Sequence, residues 1–151
     1  MDKPTPTFWR ILDTDYLSTF SFVTVVTVWG LYLMFKIFNW NLRDEMFYVL
    51  FSAGVSLVAL VLITWRYIVV KRTFNTGEEV RAKVLKSDFY RDRGRVVVEF
   101  TLRGEKEKRR ALSHLHTTRR TKAIKPGDWV TLLVDPEKPK QTAIKNAYLD
   151  E

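Results

Sequence analysis

The side chains with the chemistry to act lie in the second half of the chain. His114 and His116 are its only histidines. On a strand, positions i and i+2 share a face, which could bring two imidazoles to one metal ion. No third ligand follows at a sensible spacing, so a solvated loop and no metal are expected. Ser113 beside His114 is not a nucleophile–base pair, because catalytic pairs are assembled by the fold and not by adjacency. The chain has no cysteine, which removes disulfides, thiolate metal sites and a cysteine nucleophile. There is no glycine-rich phosphate loop and no standout pair of carboxylates; Arg103-Gly104 reads as a hairpin tip. The expectation is a protein that is not an enzyme and uses no cofactor.

What remains is charge. Residues 1–70 carry five basic and five acidic side chains, and residues 71–151 carry twenty and twelve, so the whole net charge of +8 sits in the second part. Lys106, Lys108, Arg109 and Arg110 form one group, and Arg119, Arg120, Lys122 and Lys125 a second. Three readings fit these eight residues: a solvated charged surface, docking on the anionic lipids of a cytoplasmic leaflet, or contact with nucleic acid. The run has no interleaved aromatics for base stacking, which counts against nucleic acid. Phe89-Tyr90 near Arg91 and Arg93 is the aromatic–basic cluster outside the apolar segments.

Two segments must anchor this charge. Phe20–Phe38 contains one charge, Lys36, and Met46–Trp65 contains none. About twenty residues at about 1.5 Å each give roughly 30 Å of helix, the thickness of bilayer hydrocarbon. A signal peptide is disfavoured for the first run by Asp13 and Asp15 before it, by the lack of a small-residue cleavage site and by the second run close behind. Tyr16, Trp40, Phe47, Tyr48, Trp65 and Tyr67 stand where aromatic belts stand, and Lys36 and Arg66 are placed to snorkel to phosphates. The short linker Asn39–Glu45 makes the spans an antiparallel hairpin. Counting depth from its ends, Gly30 should meet Gly54, with Ser52, Ala53 and Ser56 around it, as a close helix–helix interface or one toward another subunit. Lys71, Arg72, Arg81, Lys83 and Lys86 follow the second span, whereas the linker has Arg43 among acids, so both termini are expected in the cytoplasm.

After Gly77 the pattern turns to short alternating runs around Val80–Val84, Arg95–Leu102, Lys108–Ser113, Trp129–Val134 and Thr142–Lys145. Hairpins are expected at Asp92-Arg93-Gly94 and Arg103-Gly104. The fold class expected is an α+β membrane protein: an N-terminal segment at 1–19, a transmembrane hairpin at 20–70 (helices about 20–38 and 46–70), a linker at 71–77, and a cytoplasmic basic domain at 78–151. That domain is expected to be a small antiparallel five-stranded β-barrel or sandwich.

Lys125–Lys140 reads KPGDWVTLLVDPEKPK. It resembles the Gly-Asp…Tyr-Asp-Pro-x-Asn-Pro signature of a broad family of small bacterial membrane proteins of unknown function. Gly127, Asp128, Val130, Asp135, Pro136, Pro139, Ala143 and Ile144 match it, while Val134 and Lys138 replace its Tyr and Asn. The resemblance implies a bacterial membrane protein and brings no activity with it. Gly127, Asp128, Asp135, Pro136 and Pro139 are expected to shape turns. The functional expectation is a non-enzymatic accessory or scaffold protein of the bacterial inner membrane. It would bind anionic lipid, another membrane protein or its own copies; a membrane-tethered nucleic-acid-binding module is the alternative.

Overall fold

The computed structural model describes residues 4–38, 45–102 and 104–149. Thr7 caps α1 (Phe8–Thr14), its hydroxyl accepting from the Arg10 N–H at 3.4 Å. Asp15 ends α1 and begins α2 (Tyr16–Ile37). Its carboxylate accepts from the Ser18 N–H at 3.0 Å and the Ser18 hydroxyl at 2.9 Å, an N-cap bond doubled by the side chain. α3 (Glu45–Thr76) has 32 residues, about 48 Å of helix. Asp15 meets Arg66, Trp29 meets Ser56 and Lys36 meets Glu45, so α2 and α3 run antiparallel. Trp40, Arg43 and most of the linker lie outside the described residues.

Both α2 and α3 are long and apolar enough to cross a membrane. A core helix of a soluble protein would be covered, yet only 6% and 11% of their apolar windows are buried. Phe51, Leu57, Val58 and Val61 on α3 are all more than half exposed. Hydrocarbon tolerates an apolar face this wide and water does not. One inner stripe of α3 is covered along its length. Ser52 and Ala59 face α2, where Ser18 and Ser21 are buried in turn, and Val70, Thr73 and Phe74 continue the stripe.

That stripe enters a nearly closed antiparallel sheet of order β3-β2-β1-β4-β5, made from β1 (Glu78–Tyr90), β2 (Arg93–Phe100), β3 (Arg109–His116), β4 (Trp129–Val134) and β5 (Thr142–Ile144). β1 is long enough to serve both halves. It pairs with β4 from Glu78 to Lys83 and with β2 from Ala82 to Tyr90, and a bulge between Val84 and Lys86 bends it from one partner to the other. Val96, Val98 and Phe100 point inward, the alternation read from the sequence. Two short helices, α4 (Arg119–Ala123) and α5 (Lys145–Tyr148), complete the chain. Ile11, Val70 and Phe74 share one core cluster with Ala82, Val96, Leu115, Leu132 and Ile144. Helices therefore supply part of the barrel's interior, and Asp15 bridges to Leu115 on the β3 edge.

Several expectations change. Residues 71–77 are no linker: α3 continues to Thr76 because Val70, Thr73 and Phe74 keep helical spacing against the barrel. The turn is left to Gly77, where a Cβ would sit 2.2 Å from the Thr73 carbonyl oxygen. Within the N-terminal segment α1 packs against the barrel, with Ile11 and Leu12 buried. The first hairpin turns one step early, at Arg91-Asp92, with Arg91 at φ 53°. Gly94 lies in β2 because the Phe89 ring occupies the space of a Cβ there, 2.3 Å away. The β2–β3 connection spans 101–108 and not a tight turn, with Arg103 outside the described residues. His114 and His116 are on β3, paired with Arg95 and Arg93, and not in a loop.

Candidate functional site

The small residues of the hairpin divide in two. Ser52 is buried, and Ser56 Oγ accepts a hydrogen bond from the Trp29 indole N–H at 2.9 Å. Gly30, Ala53 and Gly54 are exposed, and a Cβ added to either glycine would meet nothing within 4 Å. The two glycines therefore do not meet. The close approach is made by serines and Ala59, whose hydroxyls and methyl fit between the helices as a glycine would.

The basic residues are not one patch. β3 carries Arg109 and Arg110 at one end and His116 at the other, about 24 Å apart along a strand. The far group is about half neutralised: Lys108 is 3.0 Å and Arg110 3.9 Å from the one carboxylate of Glu99, and Arg109 is 2.8 Å from Glu105. Lys106 is exposed. The second group sits on and after α4, whose Thr118–Thr121 capping box holds the helix in place. Arg120 is half-buried there. Arg119, Lys122 and Lys125 are exposed and have no carboxylate in ion-pair range among the described residues.

The signature residues make turns that lock distant elements. Gly127 has φ 94°, a conformation glycine adopts without strain. Its N–H donates to the Val84 carbonyl at 2.8 Å, and the Asp128 carbonyl accepts from the Val84 N–H at 2.9 Å, gripping the bulge of β1. The Asp128 carboxylate accepts from the Lys125 N–H at 2.8 Å. Asp135, fully buried, accepts from the Glu137 N–H at 3.0 Å across the Pro136 turn that leads to Pro139, and faces Arg72 Nε at 3.3 Å. Arg72 also pairs with Glu137. This turn thereby fastens to the end of α3.

The most developed site is one that the sequence reading missed. Arg66, expected to snorkel, turns inward to the fully buried Asp15, with Nε 3.1 and 3.2 Å from the two carboxylate oxygens. Asp15 is also the α2 N-cap, so one residue ends α1 with its backbone N–H, which donates to the Ile11 carbonyl, while its carboxylate starts α2 and holds α3. Tyr148 of α5 is buried beside the pair, and burial, reinforced by the Asp15 charge, pushes its phenol well above the ordinary range. Lys36 likewise pairs with Glu45 at the opposite end of the hairpin.

Beside this pair opens a cleft of about 460 Å³. Its walls are Tyr16, Leu17, Trp65 and Val69 from the hairpin, Arg93 and Leu112–Leu115 from β2 and β3, and Lys140–Ile144 around β5. Asp15 cancels Arg66, which leaves Arg93 and Lys140 as its net charge. Arg93 stacks over Tyr16, 5.5 Å from the ring centre. His114 lines the same cleft, and burial followed by the charges of Arg93, Arg95 and Arg66 lowers its pKa. His116 instead turns to the Asp13 carbonyl, 3.0 Å from Nδ1, so the two imidazoles serve separate partners. A spacing argument could not find this cleft, because its walls come from at least five separate stretches of chain. The available signal was a pair of opposite charges, Asp15 and Arg66, one just before the first apolar run and one just after the second.

Searches against protein-family models, curated proteins and solved structures give no match to this chain.

Proposed function

We propose that this chain is a non-enzymatic accessory protein of the bacterial inner membrane, multi-pass, with both termini in the cytoplasm. Its hairpin crosses the bilayer, and its barrel is held against the inner leaflet, where it binds the anionic membrane surface. The single observation that carries this reading is the shared core. Ile11 of α1 and Val70 and Phe74 of α3 are packed inside the barrel, with the Asp15–Arg66 pair buried beside them. A domain joined in this way cannot swing free of the hairpin, so its cationic cleft stays where the apolar faces begin. The positive charge that follows the second span supports the same placement, and the resemblance of Lys125–Lys140 to a family of small bacterial membrane proteins supports a bacterial membrane protein but not the side on which the barrel lies.

The absence of cysteine makes the orientation directly testable. The full chain with Glu107→Cys carries one thiol. It should resist a membrane-impermeant maleimide in intact cells and react in inverted vesicles. Labelling in intact cells overturns the orientation. Full-length protein in nanodiscs should then gain protection from proteolysis at 117–128 when anionic lipid replaces zwitterionic lipid. The whole chain is required, because a fragment starting after residue 71 would lose Ile11 and Val70 from its core.

A membrane-tethered nucleic-acid module is the second reading. It is favoured by Tyr90, 73% exposed at the β1–β2 tip with the Arg91 guanidinium 5.4 Å from its ring centre. RNA that protects the loop equally well in zwitterionic nanodiscs would select it.

A further inference from the structure

The cleft does not end at the membrane boundary. A second concavity, about 510 Å³, runs between α2 and α3, lined by Leu17, Phe20, Thr24, Gly54, Val58 and Leu62 among others. Leu17 belongs to both walls. On α3 the series Phe51, Val55, Val58, Leu62, Trp65 and Val69 advances by three or four residues at each step, so groove and cleft lie on one flank of one helix. From Phe51 to Leu62 the groove extends about 16 Å, close to half of the roughly 30 Å hydrocarbon core, which is the depth of one leaflet. The groove is apolar throughout, whereas the cleft offers Arg93 and Lys140. Gly54 keeps the groove open, since no atom lies within 4 Å of the place its Cβ would take.

We propose that cleft and groove together hold one phospholipid with a negatively charged headgroup, its phosphate at Arg93 and Lys140 and one acyl chain along the groove. This rests on the reading of the hairpin as a membrane span. An amphipathic ligand is required because the cavity changes character at one level, Leu17 and Trp65, from charged to apolar. An anion is required because the internal carboxylate is already spent on Arg66. Guanidinium suits a phosphate, presenting a planar fork of donors. A second copy of the chain fits poorly. Packed on the same face in the same membrane, it would bring its own Arg93 and Lys140 to the same depth, like charge against like.

The test is native mass spectrometry of the full-length protein released from nanodiscs, with one arm containing phosphatidylglycerol and phosphatidylcholine in equal amounts. One phosphatidylglycerol per chain is expected, in marked preference to phosphatidylcholine. Arg93→Gln with Lys140→Gln should weaken retention about 30-fold, from two basic side chains at an anionic headgroup. Gly54→Leu fills the groove from open space and should release the lipid while circular dichroism stays unchanged. Excess inorganic phosphate should not displace it, which separates a lipid from a free anion. Equal retention of both lipids overturns the proposal, as does full retention by the charge variant or displacement by phosphate. A dimer that Gly54→Leu converts to a monomer, with no lipid in either form, also overturns it and assigns the groove to a second copy. A chain that stays monomeric in buffer without detergent would instead defeat the membrane reading itself, a distinguishable result.

Discussion

Phe51 and Phe74 stand on the same helix and live in different solvents. Phe51 is 53% exposed and Phe74 2%. The outer face of the hairpin presents exposed phenylalanine, leucine and valine, while the last turns of α3 bury Val70, Thr73 and Phe74 in the barrel. The contrast teaches that α3 is two structures in one. Above Trp65 hydrocarbon satisfies it and its side chains are interchangeable apolar volume. Below Arg66 it is a core helix, where shape matters. Asp15 and Arg66 mark the boundary.

This contrast can be broken by substitution. Phe74→Ala should cost about 3–5 kcal/mol of stability by leaving a cavity in a packed core. Phe51→Ala should cost less than about 1 kcal/mol, because lipid covers the site as well as protein does. Denaturant titration of the full chain in detergent measures both, and equal losses would erase the distinction. Asp15→Ala should cost about 3 kcal/mol, since it strands the Arg66 guanidinium and uncaps α2. Combining it with Arg66→Met should recover part of that loss in a thermal melt. An additive double variant would mean that the pair does not act as a unit. Gly127→Ala should cost about 1–2 kcal/mol through its left-handed backbone. Gly30→Ala, in open space on a helix, should be neutral or stabilising by up to about 1 kcal/mol.

The smallest expected effect is on pH dependence, and it sharpens the boundary. The His114 pKa lies below its ordinary 6.5 in the folded protein, through burial first and the charges of Arg93, Arg95 and Arg66 next. The unfolded chain therefore takes up the proton first as pH falls. The stability that neutral His114 contributes is intact above about 6.5 and declines as pH drops through the lower folded value. His114→Gln should flatten that slope below about pH 6.5. An unchanged slope would place the titration elsewhere.

Much of the fold was legible because it follows from local patterns. The two apolar runs announce helices, and the alternation of Val96, Val98 and Phe100 announces a strand. Gly77 and Gly127 each punctuate the chain where the backbone turns sharply. The turn positions shift only locally, while the larger misreadings concern partners far along the chain. Arg66 was assigned to phosphates because Asp15 is 51 residues away. Residues 71–77 were taken for a linker because the barrel that covers Val70 and Phe74 comes later in the sequence. Gly30 and Gly54 were paired by depth, but which faces meet depends on helix rotation, and Trp29 with Ser56 set it otherwise.

Local pattern alone told the two apolar helices from the alternating strands, because hydropathy and periodicity are summed over neighbouring residues and need no partner. Only the tertiary structure decided where the charge acts. The cleft is built from Asp15, Arg66, Arg93 and Lys140, four residues of four separate stretches, and only the packing of hairpin on barrel brings them to one place.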